Sequence, residues 1–195
     1  VLKECDKAVD ANPNDAVAWF YRGLVKDILE DYFGAIRDYD KAISLNTTDA
    51  DFYYNRALVK YKLEDFAGAL KDYNQSIELK PSDADVFYNR GLAKFKLEDY
   101  TGAIADYTKT IEMNPGDAEA YVSTGNAKQR LEDYKGAIEA YNKALELNPN
   151  LPQAHYNRGV AEVLSGNKTS GCSDFNKSGE LGNAMAYDAI KKFCN

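Results

Sequence analysis

Arginine and aspartate recur in this chain at a fixed separation. Arg22, Arg56, Arg90 and Arg158 are followed sixteen residues later by Asp38, Asp72, Asp106 and Asp174. One place breaks the rule on both sides, where Thr124 is followed at the same distance by Ala140. Residues kept or lost together behave as an ion pair held between two adjacent elements. A buried charge that loses its partner costs about 3–5 kcal/mol, whereas replacing both partners is often neutral. Four arginines in series would also make an anion-binding ladder, but the joint loss at Thr124 and Ala140 favours the structural pair.

The remaining reactive residues lead away from catalysis. There is one histidine, His155, and no activated nucleophile stands near it in sequence. It falls in register with Trp19, Tyr53, Phe87 and Tyr121, all packing positions, which makes it a partly buried core residue. Cys5, Cys172 and Cys194 are too few and too scattered for a zinc site or a disulfide scaffold. No metal, cofactor or enzymatic activity is therefore expected. Cys172 and Cys194 fall on what should be neighbouring helices; a disulfide there would staple the end of the chain and imply an oxidising compartment, and the alternative is two small buried thiols. The Glu-Asp pairs at 30–31, 64–65, 98–99 and 132–133 look like carboxylate sites but are better read as helix-capping charges, favoured by the dipole at a helix N-terminus. Four Asn-X-Ser/Thr triplets, at Asn46, Asn74, Asn167 and Asn176, say nothing without a secretion signal.

Composition narrows the class. Of 195 residues, 45% are hydrophobic and 12% aromatic, too many for a disordered chain. Thirty-one acids against 24 bases, a net charge of -7, argue against a nucleic-acid backbone as partner. No stretch approaches the roughly 18 apolar residues of a membrane helix, so no membrane insertion is expected of this fragment. The opening VLKECDKAVD carries acids among its apolar residues and does not read as a signal peptide. The compartment stays open, with the cytoplasm favoured unless Cys172 and Cys194 are joined.

These residues are positioned by an internal repeat. Asp-Ala recurs at 15–16, 49–50, 83–84 and 117–118, a period of 34. Glu-Asp-aromatic recurs at 30–32, 64–66, 98–100 and 132–134, and Gly-Ala at 34–35, 68–69, 102–103 and 136–137, with Pro81, Pro115 and Pro149 near repeat ends. Each copy reads as two helices. The first, about 83–97 in the third copy, has Asp83 as N-cap; the second, about 100–113, places Ala103, Ile104, Tyr107, Thr110 and Ile111 on one stripe. The short turn between them makes the helices antiparallel neighbours. The boundaries are 1–14 for the second helix of a truncated preceding repeat, then repeats at 15–48, 49–82, 83–116 and 117–150, a degenerate fifth at 151–182, and a capping helix at 183–195. The cap, with Tyr187, Ile190 and Cys194 on its packing stripe, would cover the apolar face that a solenoid's last repeat exposes. The chain is read as beginning inside a longer protein, and the half-repeat at its start as a surface through which copies could self-associate.

Period, helix pairing, small-residue positions and terminal prolines resemble the tetratricopeptide repeat (TPR) family over residues 16–181, and the tail from 171 to 195 is similar to the closing segments of some bacterial repeat proteins. The four arginines stand where leucine is commoner in that family. The resemblance implies an all-α, right-handed superhelical solenoid whose first helices line the concave face, and a scaffold that binds an extended or helical peptide segment of a protein partner. The alternative is the recognition arm of a larger enzyme or assembly, similar to the repeat arm of O-GlcNAc transferases. A clamp for the acidic tail of heat-shock chaperones is not expected: Phe20, Leu24, Tyr54 and Leu58 stand where that clamp needs lysine and asparagine.

By that resemblance a second apolar stripe faces the groove. It reads Tyr54, Leu58, Tyr61 in the second repeat and Tyr88, Leu92, Phe95 in the third, fades to Val122, Asn126, Gln129, and returns as Tyr156, Val160, Val163. Asn55, Asn89 and Asn157 stand beside it, with amides suited to a peptide backbone. Asp51 and Asp85 form one rim, and Lys62, Lys96 and Arg130 the other.

Overall fold

The computed structural model describes residues 1–194, which form twelve α-helices and no strand: α1 (Leu2–Ala11), α2 (Ala16–Ile28), α3 (Tyr32–Leu45), α4 (Ala50–Lys62), α5 (Phe66–Leu79), α6 (Ala84–Lys96), α7 (Tyr100–Met113), α8 (Ala118–Arg130), α9 (Tyr134–Leu147), α10 (Pro152–Leu164), α11 (Lys168–Glu180) and α12 (Met185–Phe193). The first helix of each repeat starts on an aspartate that satisfies an otherwise orphaned backbone amide. Asp15 accepts from Val17 N and Ala18 N, Asp49 from Asp51 N, Asp83 from Asp85 N and Asp117 from Ala120 N. In the fifth repeat Leu151 takes that place without a side-chain cap, and Pro152 opens the helix instead.

The Glu-Asp motif divides its labour. Asp31, Asp65, Asp99 and Asp133 cap α3, α5, α7 and α9 by accepting from Gly34, Gly68, Gly102 and Gly136 N at 2.9–3.0 Å. A β-carbon on any of these glycines would sit 2.0–2.2 Å from the capping carboxylate oxygen, so the cap and the glycine require each other. The glutamates do not cap, which corrects the expectation for half of each pair. Glu30, Glu64, Glu98 and Glu132 hold φ of 60–62°, the left-handed residue that ends the preceding helix, and Gly166 (φ 94°) takes the place in the fifth repeat. That conformation costs an L-residue about 1–2 kcal/mol, while glycine loses more chain entropy on folding. Glu64→Gly should therefore leave stability unchanged or raise it by up to about 1 kcal/mol, and Glu64→Val should lower it by about 1–2 kcal/mol, since a β-branched side chain tolerates positive φ worst. Urea denaturation of the two variants checks the sign.

The helices group into two compact units, Val1–Glu98 and Asp99–Asn195. In the first, α2 lies against α3 and α4 against α5, with α1, α3 and α5 each touching the first helix that follows. Its core contains Ala35, Tyr39 and Val59, and then Ala57, Ala69, Tyr73, Val86 and Ala93. In the second, α8 lies against α9 and α10 against α11, around Ala137, Tyr141 and Ala161. Close approach comes from a small residue facing a ring. A β-carbon on Gly23 would come within 2.7 Å of Tyr39, on Gly125 within 2.5 Å of Tyr141, and on Gly159 within 2.8 Å of Phe175.

At the end of the second unit α12 packs on α11 through Ala186 and Ala189, and Phe193 stacks on Phe175 with centroids 6.1 Å apart. Cys172 and Cys194 are joined by a disulfide, their Cα atoms 5.7 Å apart; Cys5 is free. Tyr187, expected on the packing stripe, is 57% exposed. The two alanines let α12 come closer than a tyrosine would, and the Tyr187 ring instead lies along Gly179, its hydroxyl donating to the Gly179 carbonyl at 3.4 Å.

Candidate functional site

Arg22 grips Asp38 with a two-pronged fork, Nε and Nη2 to the two carboxylate oxygens, both at 2.8 Å. Arg56 holds Asp72 at 2.8 and 2.6 Å, and Arg158 holds Asp174 at the same distances. The carboxylates are almost wholly buried, Asp38 at 2% exposure, Asp72 at 4% and Asp174 at 7%. Lys26 and Lys60 add a second cation to Asp38 and Asp72, each at 2.7 Å. The guanidinium carbons of Arg22, Arg56 and Arg90 lie 4.6, 5.7 and 5.4 Å from the ring centres of Trp19, Tyr53 and Phe87. Arg90 lies in the first unit, and Asp106, 3% exposed, in the second.

The sequence reading missed each arginine's third partner. Nη1 of Arg22, Arg56, Arg90 and Arg158 donates to Asp6, Asp40, Asn74 and Asn142 on the preceding helix, at 3.2, 2.6, 2.9 and 2.7 Å. All four lie sixteen residues before their arginine, and before Thr124 that place holds Thr108. The signal was present with the sign of the spacing reversed. These bonds tie each repeat to the one before. The carboxylates hold three of the guanidinium groups charged: Arg22 is raised chiefly by its hydrogen bond to Asp38; at Arg56 burial pulls the other way and is outweighed by Asp72 and Asp40; Arg158 is raised chiefly by Asp174. Arginines enclosed this way serve packing better than the binding of an outside anion. His155 joins the same cluster, with Nδ1 3.2 Å from Asp174 Oδ1 and Nε2 3.0 Å from the Pro149 carbonyl. Among the described residues no group of three or more His, Cys, Asp or Glu side chains could hold a metal ion.

The second stripe is half-buried throughout. On α4, Tyr54, Leu58 and Tyr61 back onto the core cluster around Tyr73, and Tyr88, Leu92 and Phe95 occupy the corresponding places on the neighbouring α6. The Tyr54 ring lies 6.1 Å from Tyr73, and Tyr61 meets Phe66 edge-on at 5.1 Å. Burial pushes the Tyr54 hydroxyl up to about 12, helped by the charges of Asp85 and Asp83 and opposed by a hydrogen bond from Asn89. In the second unit Tyr156 lies 5.7 Å from Phe175.

The amides beside the stripe already hold hydrogen-bond partners within the chain. Asn55 Nδ2 donates to its own helix at Asp51 O, and Asn89 Nδ2 uses both protons, on Asp85 O at 2.8 Å and Tyr54 Oη at 3.2 Å. Asn126 Oδ1 accepts from Tyr141 Oη at 2.8 Å and Asn157 Nδ2 at 2.7 Å, while Asn157 Oδ1 accepts from Gln153. Asp51, Asp85 and Lys96 are exposed. Lys62 instead bonds Asp27 on α2 at 2.6 and 2.8 Å and lies over Tyr32, and Arg130 lies 4.8 Å from the Tyr100 ring centre. The basic rim thus fastens neighbouring helices to one another at Lys62.

A TPR repeat profile matches residues 28–64, 59–97 and 125–166, and a tetratricopeptide repeat profile matches 84–117. The chain belongs to the tetratricopeptide repeat family, whose members are generally non-catalytic scaffolds. No curated protein sequence matches it. Among solved structures it is similar to YrrB, described as a TPR protein with an unusual peptide-binding site, at 23% identity and a TM-score of 0.86, over 98% of this chain and 100% of that one. It is also similar to MamA from Desulfovibrio magneticus RS-1, at 22% identity and 0.83, over 86% and 94%. Against the APC/C hetero-tetramer Cut9–Hcn1 it aligns at 20% identity and 0.75, over all of this chain and 39% of that one. These likenesses show the fold, an all-α helical repeat solenoid. Among the described residues no helix is long and apolar enough to cross a membrane.

Proposed function

We propose that the chain is a non-catalytic scaffold that binds an extended or helical segment of a protein partner along the stripe of its first helices. The observation that carries this reading is the pair of half-buried stripes on α4 and α6, six large apolar side chains left partly open in front, of which Tyr54, Leu58 and Tyr61 are anchored from behind by the core. Rigid aromatic side chains held in that way make good binding anchors, because little rotamer freedom remains to be lost. The peptide-binding site ascribed to YrrB supports the reading. So does an acidic chain charge, which suits a protein partner better than a nucleic acid. With Asn55 and Asn89 donating to their own helices, their Oδ1 atoms and the exposed Asp51 and Asp85 supply the polar contacts.

A peptide selected from a random library on the purified chain gives the probe. Tyr54→Ala combined with Tyr88→Ala should weaken it by at least about 2 kcal/mol, as truncation of an interface anchor does. Because Tyr54 also packs on Tyr73, binding is measured below the onset of melting, with Tyr54→Phe as the control that keeps the ring. Undiminished binding by the double variant would place the site elsewhere.

A further inference from the structure

The fourth repeat lacks the arginine and aspartate of the others, and the place they vacate is a hollow of about 480 Å³ bounded by Ile111 of α7, Tyr121, Thr124 and Lys128 of α8, and Ala140 of α9. Thr124 and Ala140 form its buried floor, at 7% exposure each. The Thr124 hydroxyl donates back to Ala120 O, so it offers no replacement for the missing charge. What remains is a lysine without its acid. Lys26 and Lys60, 102 and 68 residues before Lys128 in the same register, each hold a buried carboxylate at 2.7 Å. At Lys128 the place of the corresponding carboxylate is taken by Ala140, and the ammonium reaches toward the first turn of α9, beside Gly136 and the Asp133 carboxylate that caps it, without closing a salt bridge among the described residues.

We infer that this hollow is a carboxylate-binding site, in which the acid that the other repeats carry in their own chain is supplied from outside. The fold builds a lysine–carboxylate contact in this register twice, so the geometry for a third is present once an acid enters. A half-buried ammonium makes a charge-assisted hydrogen bond stronger than a neutral one. Ile111 and the Tyr121 face, which no arginine covers, give the aliphatic stem of such a ligand an apolar wall. Glu139 at the mouth is exposed to solvent, and Lys143 and Glu146 pair with each other at 2.6 Å, so neither competes inside. Tyr121, Thr124 and Lys128 lie on a different face of α8 from Val122, Asn126 and Gln129, which makes the site separate from the peptide stripe.

The experiment is an amide-resolved NMR titration of the whole chain with propionate, and with propionamide as the uncharged match. Saturable shifts at Thr124, Lys128 and Ala140 are expected for propionate in the millimolar range, as befits about five non-hydrogen atoms, and none for propionamide. Ala140→Asp, which gives Lys128 an acid of its own, and Lys128→Gln should each reduce these shifts at least tenfold while the circular dichroism of the chain is unchanged. A glutamate-containing tripeptide amide then separates the sources. Tighter binding than propionate supports a partner's acidic side chain, and equal binding supports a free small carboxylate. The proposal is overturned if propionate and propionamide behave alike, if the shifts fall elsewhere, or if both variants bind as the native chain does; should one variant unfold, the other decides.

Discussion

Asp72→Ala should lower the free energy of unfolding by about 3–5 kcal/mol, the cost of leaving buried cations without their acid. Asp72 receives Arg56 on both oxygens and Lys60 on one, so its removal takes the acid from Lys60 and leaves Arg56 with Asp40 alone. Arg56→Ala should cost less, about 1.5–3 kcal/mol, because Lys60 still neutralises Asp72. The revealing variant is Arg56→Thr with Asp72→Ala, which installs in the second repeat what the fourth already has at Thr124 and Ala140. It should be more stable than Asp72→Ala alone, and the single effects should fail to add. Urea denaturation of the native chain, Arg56→Thr, Asp72→Ala and the double variant completes the cycle. Strict additivity would mean that the two side chains do not interact.

Tyr73→Ala should cost about 3–5 kcal/mol, the range for emptying a fully buried aromatic site. Its ring is 0% exposed and closes the space between α4 and α5, behind the stripe residues Tyr54 and Tyr61. The hydroxyl is another matter. Tyr39 and Tyr73 bury theirs with no hydrogen-bond partner, whereas Tyr141 donates to Asn126 Oδ1. An unpaired buried hydroxyl is a cost rather than a gain. Tyr73→Phe should therefore be neutral or stabilising by up to about 1 kcal/mol, and Tyr141→Phe destabilising by about 1 kcal/mol. The fifth repeat already carries Phe175 in this register, fully buried. Opposite signs for the two Tyr→Phe variants in thermal or urea melts check the point; equal losses would contradict it.

The helix pairs were legible because the 34-residue period prints the same local chemistry again and again. An Asp before the first helix of four repeats, a Gly three residues after each Asp that caps a second helix and a ring facing a small residue are all local or short-range demands. Contacts between repeats were harder to read. Arg56 has neighbours on both sides in the solenoid, and a search for its partner stops once Asp72 is found, leaving Asp40 on the preceding repeat unseen. The glutamates misled for a different reason: carboxylates next to a helix start invite a capping role, but only Asp65 has the short side chain that reaches back, and Glu64 is there to turn the chain. Tyr187 shows how one residue of phase, invisible in a nine-residue helix rich in apolar positions, changes which face packs. The apolar stripe was legible as a pattern, while the state of the amides beside it was not, because Asn89 finds Tyr54 across two repeats.

The reading of the chain as a peptide-binding scaffold is tested most directly by mapping, residue by residue, where a library-selected peptide changes the amide NMR spectrum of the intact protein. The account predicts that the largest changes follow α4 and α6 at Tyr54, Leu58, Tyr61, Tyr88, Leu92 and Phe95. Changes confined to the second helices of the repeats, with these six positions silent, would contradict it.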